Sequence, residues 1–151
     1  MNTVDTTKLE WIPLREGLSF KPLYFFPDDS AVEYLLRVEP GTVIERHRHT
    51  GEIHAFNLSG KRLLIETNQI VGPGTYVYEP TGNVDSWKVV GDEPCVIHIE
   101  FNGRIEYLGD DGTVLKEVDA GIYRRKYLEW RAGRRSEKPS AEPVGAGAVV
   151  G

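Results

Sequence analysis

The chain has a single cysteine, Cys95, in 151 residues, so no disulfide can close within it. Cys95 stands between Pro94 and Val96 at the head of an apolar run, where a buried, inert thiol is expected. No apolar stretch approaches the ~20 residues that a helix needs to cross a bilayer. Positive charge is not in excess either: 18 Lys and Arg against 23 Asp and Glu leave a formal net charge of -5. That balance exerts no general pull on nucleic acid or on an anionic membrane surface, so neither is expected as a partner. Two local basic clusters, Arg124-Arg125-Lys126 and Arg131 to Arg135, read as a solvated surface. Residues Met1 to Asp5 lack the basic and apolar regions of a secretory signal, which leaves a cytoplasmic protein as the default expectation.

What is present suits one domain with one core. From Trp11 the chain breaks into short apolar runs: 19–26, 31–38, 42–47, 54–58, 62–66, 75–78, 85–90, 94–101 and 103–108. Each run is closed by Gly, Pro, Asn or Asp, as in Glu39-Pro40-Gly41, Gly72-Pro73-Gly74 and Asp110-Asp111-Gly112. Short β-type segments at close, regular spacing predict an antiparallel sandwich or barrel. Val96-Ile97-His98-Ile99-Glu100-Phe101 alternates cleanly, as a strand with one buried face does. Between Ile122 and Trp130 the period changes: Tyr123, Tyr127 and Trp130 fall at helical spacing and predict a short amphipathic helix on the barrel. Residues 1–10 read as a flexible lead-in, 11–133 as the domain, and 134–151, rich in Ser, Pro, Ala, Gly and Val, as a flexible tail.

The histidines carry the chemistry. There are four, and three fall within eight residues: His47, His49 and His54. In a strand, residues two apart share a face, so His47 and His49 offer two imidazoles to one metal ion. Such a pair suits Fe(II), Mn(II), Ni(II), Cu(II) or Zn(II). If the chain turns at Thr50-Gly51 and returns from Ile53, His54 points to the same site, as a ligand or as support for one. Phe56 and Leu58 share the parity of His54 and are candidates for an apolar pocket wall, with ordinary barrel core as the alternative. His98, between Ile97 and Ile99, is expected to be a satisfied sheet histidine.

The segment from Gly41 to Gly60 resembles the first cupin signature, Gly-x5-His-x-His-x(3,4)-Glu-x6-Gly, with Gly41, His47, His49 and Gly60 in register. Ile53 or His54 stands where the signature has its glutamate. The resemblance implies an all-β fold, a cupin barrel (double-stranded β-helix, jelly roll), here with a short C-terminal helix. It narrows on Trp11-Ile12-Pro13-Leu14, Phe20-Lys21-Pro22-Leu23, Leu35-Leu36-Arg37-Val38 and Arg46-His47-Arg48-His49-Thr50-Gly51. Gly74 to Pro80 and Phe101 to Tyr107 narrow it too. Over residues 11–133 the chain looks like the family of 2,4'-dihydroxyacetophenone dioxygenase and the acetylacetone-cleaving dioxygenase. That resemblance implies a non-haem Fe(II) enzyme that uses O2 to cut a carbon–carbon bond beside a carbonyl in a diketone or hydroxyketone. It also implies that His47 and His49 are the first two iron ligands, and that Glu79 is the glutamate near the metal, a candidate base for forming an enolate.

The family's third histidine should stand five residues after Pro80, and here that position is Asp85. Asp85 completes a two-histidine, one-carboxylate set; or, being short, it leaves the place to Glu79, His54 or water; or the metal is weakened or lost. A carboxylate in place of an imidazole lowers the formal charge of a divalent site from +2 to +1 and weakens its hold on an enolate anion. Tyr76, Tyr78 and Trp87 are further aromatic candidates for the pocket, Tyr78 among the expected lining. The expected function is a metal-dependent dioxygenase acting on a ketone or enolate with O2. The alternatives are a metal-binding sensor cupin, with Zn(II) as structural ion, or a metal-assisted isomerase, lyase or cyclase without O2. A homodimer or homotetramer is expected through exposed strand edges.

Overall fold

The structure is a computed structural model that describes residues 1–135, so most of the expected tail, from Ser136 to Gly151, lies outside the described residues. The strands run β1 (Ile12–Arg15), β2 (Leu18–Phe25), β3 (Ala31–Val38), β4 (Val43–His49), β5 (Ile53–Ser59) and β6 (Lys61–Leu64). They continue as β7 (Gln69–Val71), β8 (Tyr76–Glu79), β9 (Val84–Val90), β10 (Cys95–Asn102), β11 (Arg104–Leu108) and β12 (Val114–Asp119), and the chain ends in helix α1 (Ala120–Arg135). Two six-stranded sheets form, in the orders β1-β2-β3-β10-β5-β8 and β12-β11-β4-β9-β6-β7. All of the pairings are antiparallel. From β3 to β11 the chain passes repeatedly from one sheet to the other, which winds it into the expected jelly roll.

The core lies between the sheets. Val32, Tyr34, Leu36, Ile97, Ile99 and Phe101 come from the first sheet, and Ile44, Trp87, Val89 and Ile105 from the second. In β10 the alternation seen in the sequence is the burial pattern: Cys95, Ile97, Ile99 and Phe101 point in, and Val96, His98 and Glu100 point out. Cys95 is buried as expected, its thiol donating to Asn57 Oδ1 at 3.4 Å, and burial pushes its pKa up. Strands β1, β7 and β12 fall outside the predicted runs: β1 is four residues long and buries only Ile12 fully, β7 is three residues long, and β12 buries little beyond Val118.

Helix α1 begins where Asp119 Oδ1 accepts the Ile122 N–H at 2.9 Å. It is longer than the predicted 122–130 and runs to Arg135, past the expected domain end at Gly133. Its periodic aromatics face inward: Tyr123 stacks on Tyr34 with ring centroids 4.9 Å apart, and Tyr127 lies 5.8 Å from Phe25. Burying such a ring contributes ~1.5–3 kcal/mol each, which holds the helix to the first sheet. Ahead of β1, residues Thr6–Lys8 form one 3-10 turn, and the Lys21 ammonium donates to the Thr6 carbonyl at 2.9 Å.

Two turns meet beside the end of β4. A Cβ on Gly51 would overlap the Asn102 carbonyl, and one on Gly103, at φ +69, would press on Gly51. The contact is fixed by Asn102 Oδ1 accepting from Glu52 N at 2.8 Å and Thr50 Oγ1 accepting from Arg104 N at 2.7 Å. Glycine here permits the close approach that anchors the strand carrying His47 and His49.

Candidate metal centre

A bulge in β4 aims the two histidines. Ile44 pairs with Trp87 and His47 with Asp85, so β4 spends one more residue than β9 between these pairs. The extra residue lets Ile44, His47 and His49 all point inward. The same bulge turns the Glu45 carbonyl toward His47, whose Nδ1 donates to it at 2.7 Å. A carbonyl can only accept, so the neutral ring carries its proton on Nδ1 and a bare lone pair on Nε2. That lone pair faces Asp85 Oδ1 at 3.0 Å.

His49 Nε2 lies 3.7 Å from the same Asp85 oxygen and 3.5 Å from Glu79 Oε1. His47, His49 and Glu79 are 4%, 2% and 8% exposed, so water does not screen this cluster. His49 Nε2 and Asp85 Oδ1 are buried with no hydrogen-bond partner among the described residues. Lone pairs crowded together and left unsatisfied are costly. One cation at their centre removes the cost, and the donor atoms of His47, His49 and Asp85 all lie within 4.8 Å of one another. Two imidazoles and a carboxylate suit a divalent transition metal, and this triad could hold one.

Protons and metal compete for the triad. Burial opposes charge on His47, yet Asp85 and the Glu45 carbonyl outweigh it and raise its pKa. Burial likewise pushes Asp85 upward, but the two rings hold its pKa well below the usual carboxylate range. Glu79 is raised by burial and by Asp85, with His49 and an Asn83 amide bond at 2.8 Å pulling the other way. A raised His47 adds stability below its unfolded value of ~6.5, and that stability is lost as pH rises through the folded value. A depressed Asp85 adds stability above its unfolded value of ~3.9, lost as pH falls through the folded one. The metal-free protein should therefore lose thermal stability from about pH 6 to pH 8. Metal binding displaces the His47 proton, so the rise in melting temperature on adding Zn(II) or Mn(II) should grow over the same range. An equal rise at both pH values would mean that the ion binds elsewhere.

The structure brings His47, His49, Asp85 and Glu79 together and turns His54, Phe56 and Leu58 away from them. His54, expected at the site, lies on the outer face of the first sheet, where Tyr76 Oη and Glu52 Oε2 contact its ring nitrogens at 2.5 and 3.2 Å. Phe56, Leu58 and Tyr78, expected in the pocket, are 41%, 46% and 48% exposed. The reason is parity. The turn after His49 brings Ile53, Ala55 and Asn57 of β5 inward, so the set His54, Phe56 and Leu58 points out. Tyr78 pairs with His54 across the strands, its ring 5.2 Å away, and lines a side cleft together with Glu79 and Asp85. Tyr76 is on the outer face too, whereas Trp87, buried in the core, lines the inner cavity beside the histidines.

An inner cavity of about 50 Å³ adjoins the triad, lined by His47, His49, Glu79, Arg62, Tyr107 and apolar neighbours. A side cleft of about 250 Å³ reaches Asp85 and Glu79 from solvent between β6, β8 and β9. A larger apolar groove of about 360 Å³ lies under α1, with Tyr107, whose ring is 5.5 Å from that of His47, shared between it and the inner cavity. The reading of the sequence missed Arg62, Asn83 and Tyr107. Arg62 had one usable signal, its shared parity with Leu64 in a strand after the Gly60 turn.

Comparison with known proteins agrees with this architecture. The sequence pattern of a family described as the ChrR cupin-like domain matches residues 1–103. No curated protein matches the chain. A cupin-like protein of unknown function from Ralstonia eutropha JMP134 is 26% identical, with a TM-score of 0.77 over 95% of this chain and 94% of that one. An RmlC-like cupin from the same organism is 18% identical, with a TM-score of 0.84 over 97% and 94%. An acetylacetone dioxygenase from Acinetobacter johnsonii is 16% identical, with a TM-score of 0.72 over 85% and 91%, a likeness of fold alone.

Proposed function

The chain belongs to the ChrR cupin-like domain family, and from that premise we propose a mononuclear metal-dependent dioxygenase acting on a diketone or hydroxyketone-type substrate. The buried, unsatisfied triad of His47, His49 and Asp85, with Glu79 beside it, carries this reading. Two histidines and one carboxylate are the ligand set of many Fe(II) oxygenases. Bound there, Fe(II) would polarise a ketone oxygen and supply the one-electron chemistry that O2 requires.

The chain's own groups supply the rest. The Glu45 carbonyl orients the His47 ring. Glu79 reaches both the inner cavity and the side cleft, and Asn83 holds its carboxylate at 2.8 Å, so it is placed to take a proton from a carbon acid arriving by the cleft. Ile44, Ile53 and Ile105 wall the inner cavity and exclude water from reactive oxygen species.

A second reading, a sensor cupin with structural Zn(II), is favoured by the small inner cavity, which has room for little beyond the ion and a few atoms. Anaerobic titration with Fe(II), followed by O2 uptake on a panel of β-diketones and hydroxyacetophenones, separates the two. The dioxygenase reading expects one metal ion per chain and substrate-dependent O2 consumption. Tight Zn(II) binding with no O2 uptake on any of the ketones would replace it with the sensor reading.

A further inference from the structure

Arg62 is 3% exposed and sits at the candidate centre with no hydrogen-bond or ion-pair partner among the described residues. Its Nε and Nη2 are fully buried and make no hydrogen bond among the described residues. A buried guanidinium left unpaired is costly, and such groups are rare in folded proteins unless they await a ligand. The same chain shows what this edge of arginine takes. Arg48 puts Nε and Nη2 on one Glu106 oxygen at 2.9 and 2.8 Å, and Arg124 puts them on the two Asp29 oxygens at 2.6 and 2.8 Å. In Arg62 that fork meets no acceptor among the described residues.

Its placement is specific. The guanidinium carbon lies 4.7 Å from the Trp87 ring centroid, so the ring backs the cation. Arg62 and Glu79 are the two residues that line both the inner cavity and the side cleft. A molecule passing from the cleft toward His47 and His49 therefore moves between a cation and a carboxylate. The two do not pair with each other within ion-pairing distance. Asp85 and Glu79 cancel the charge of a divalent ion when both are ionised, and Arg62 then leaves the site with one positive charge in excess. One monoanion balances it.

We propose that Arg62 is an oxyanion subsite that selects a short oxo-carboxylate, with the carboxylate on the Nε/Nη2 fork and the ketone end toward His47, His49 and Asp85. The proposal deepens the dioxygenase reading and rests on it for the ketone end, whereas the carboxylate contact needs no metal. Bidentate, charge-assisted pairing in a buried site makes the carboxylate worth ~10–100-fold in affinity over a neutral group of the same size.

Calorimetric titration with acetoacetate and with acetylacetone, a largely neutral partner of similar shape, tests this in metal-loaded and in metal-free protein. Acetoacetate should bind the loaded protein ~10–100-fold more tightly, and a preference should persist without metal. Arg62→Met should abolish the preference while its melting temperature stays equal to or above that of the wild type, since an unpaired buried charge is being replaced by an apolar chain. Arg62→Lys, keeping the charge but not the fork, should retain only part of it. An acetoacetate preference that survives in Arg62→Met, or no preference in the wild type with or without metal, overturns the proposal. Loss of metal binding alone, with the preference intact in the metal-free protein, would instead sink the dioxygenase reading and leave the subsite standing.

Discussion

His49→Ala should abolish stoichiometric metal binding, weakening affinity for Zn(II) or Fe(II) by at least ~100-fold. Loss of an outer-shell partner alone costs ~10–100-fold at metal sites, and removing a ligand atom should cost at least the upper end of that range. His49 has no other occupation: its Nε2 is buried, unpaired, and aimed at the same space as His47 Nε2 and Asp85 Oδ1. The fold should survive, because the ring contributes no hydrogen bond among the described residues that anchors a strand; its backbone does that work through Gly82 N and Asn83 O. Elemental analysis after dialysis against metal, with circular dichroism as the check on folding, reads the outcome. His54→Ala is the internal control. Its ring lies on the opposite face of the sheet, so metal content should be unchanged. Full metal content in His49→Ala, or its loss in His54→Ala, would contradict the site as drawn.

The second large effect separates the two carboxylates. Asp85→Asn keeps the shape of the side chain and removes the charge, and metal affinity should fall ~10–100-fold. Glu79→Gln should leave affinity within ~3-fold, because Glu79 is nearer to the edge of the cluster: of the two rings its oxygen approaches only that of His49, at 3.5 Å, whereas Asp85 Oδ1 approaches both. Glu79→Gln should instead suppress O2 uptake with ketones by ~10²-fold or more, the contribution usual for a positioned general base. If Glu79→Gln loses the metal and Asp85→Asn keeps it, the ligand assignment between them must be exchanged. Asp85→His, which puts back the neutral ligand of the resembled dioxygenases, should keep the metal and raise the charge of the site by one, shifting preference toward anionic ligands.

Much of this centre could be read from the residues alone. Two histidines two apart in a run closed by Gly41 and Gly60 pointed to a candidate metal site, whereas Asp85 and Glu79 were placed beside it only by the resemblance to the dioxygenase family. Parity counting then failed at a single point. The turn Thr50–Glu52 set which face of β5 looks inward, and a shift of one residue carried His54, Phe56 and Leu58 together to the outside. The bulge in β4 was equally invisible, because it is defined by pairing with β9, a strand some forty residues distant in the chain.

The sequence by itself determined the local terms: short alternating strands, an aromatic helix stripe, and a His-x-His pair that needs only strand geometry to converge. Tertiary structure alone decided which lone pairs were left facing one another and which cation was left without an anion. His47 Nε2, His49 Nε2, Asp85 Oδ1 and the Arg62 fork acquire their meaning from groups on β4, β6 and β9 that meet only when the two sheets close. Burial is a property of that closure, and it is burial that makes an unpaired polar atom costly enough to imply a ligand.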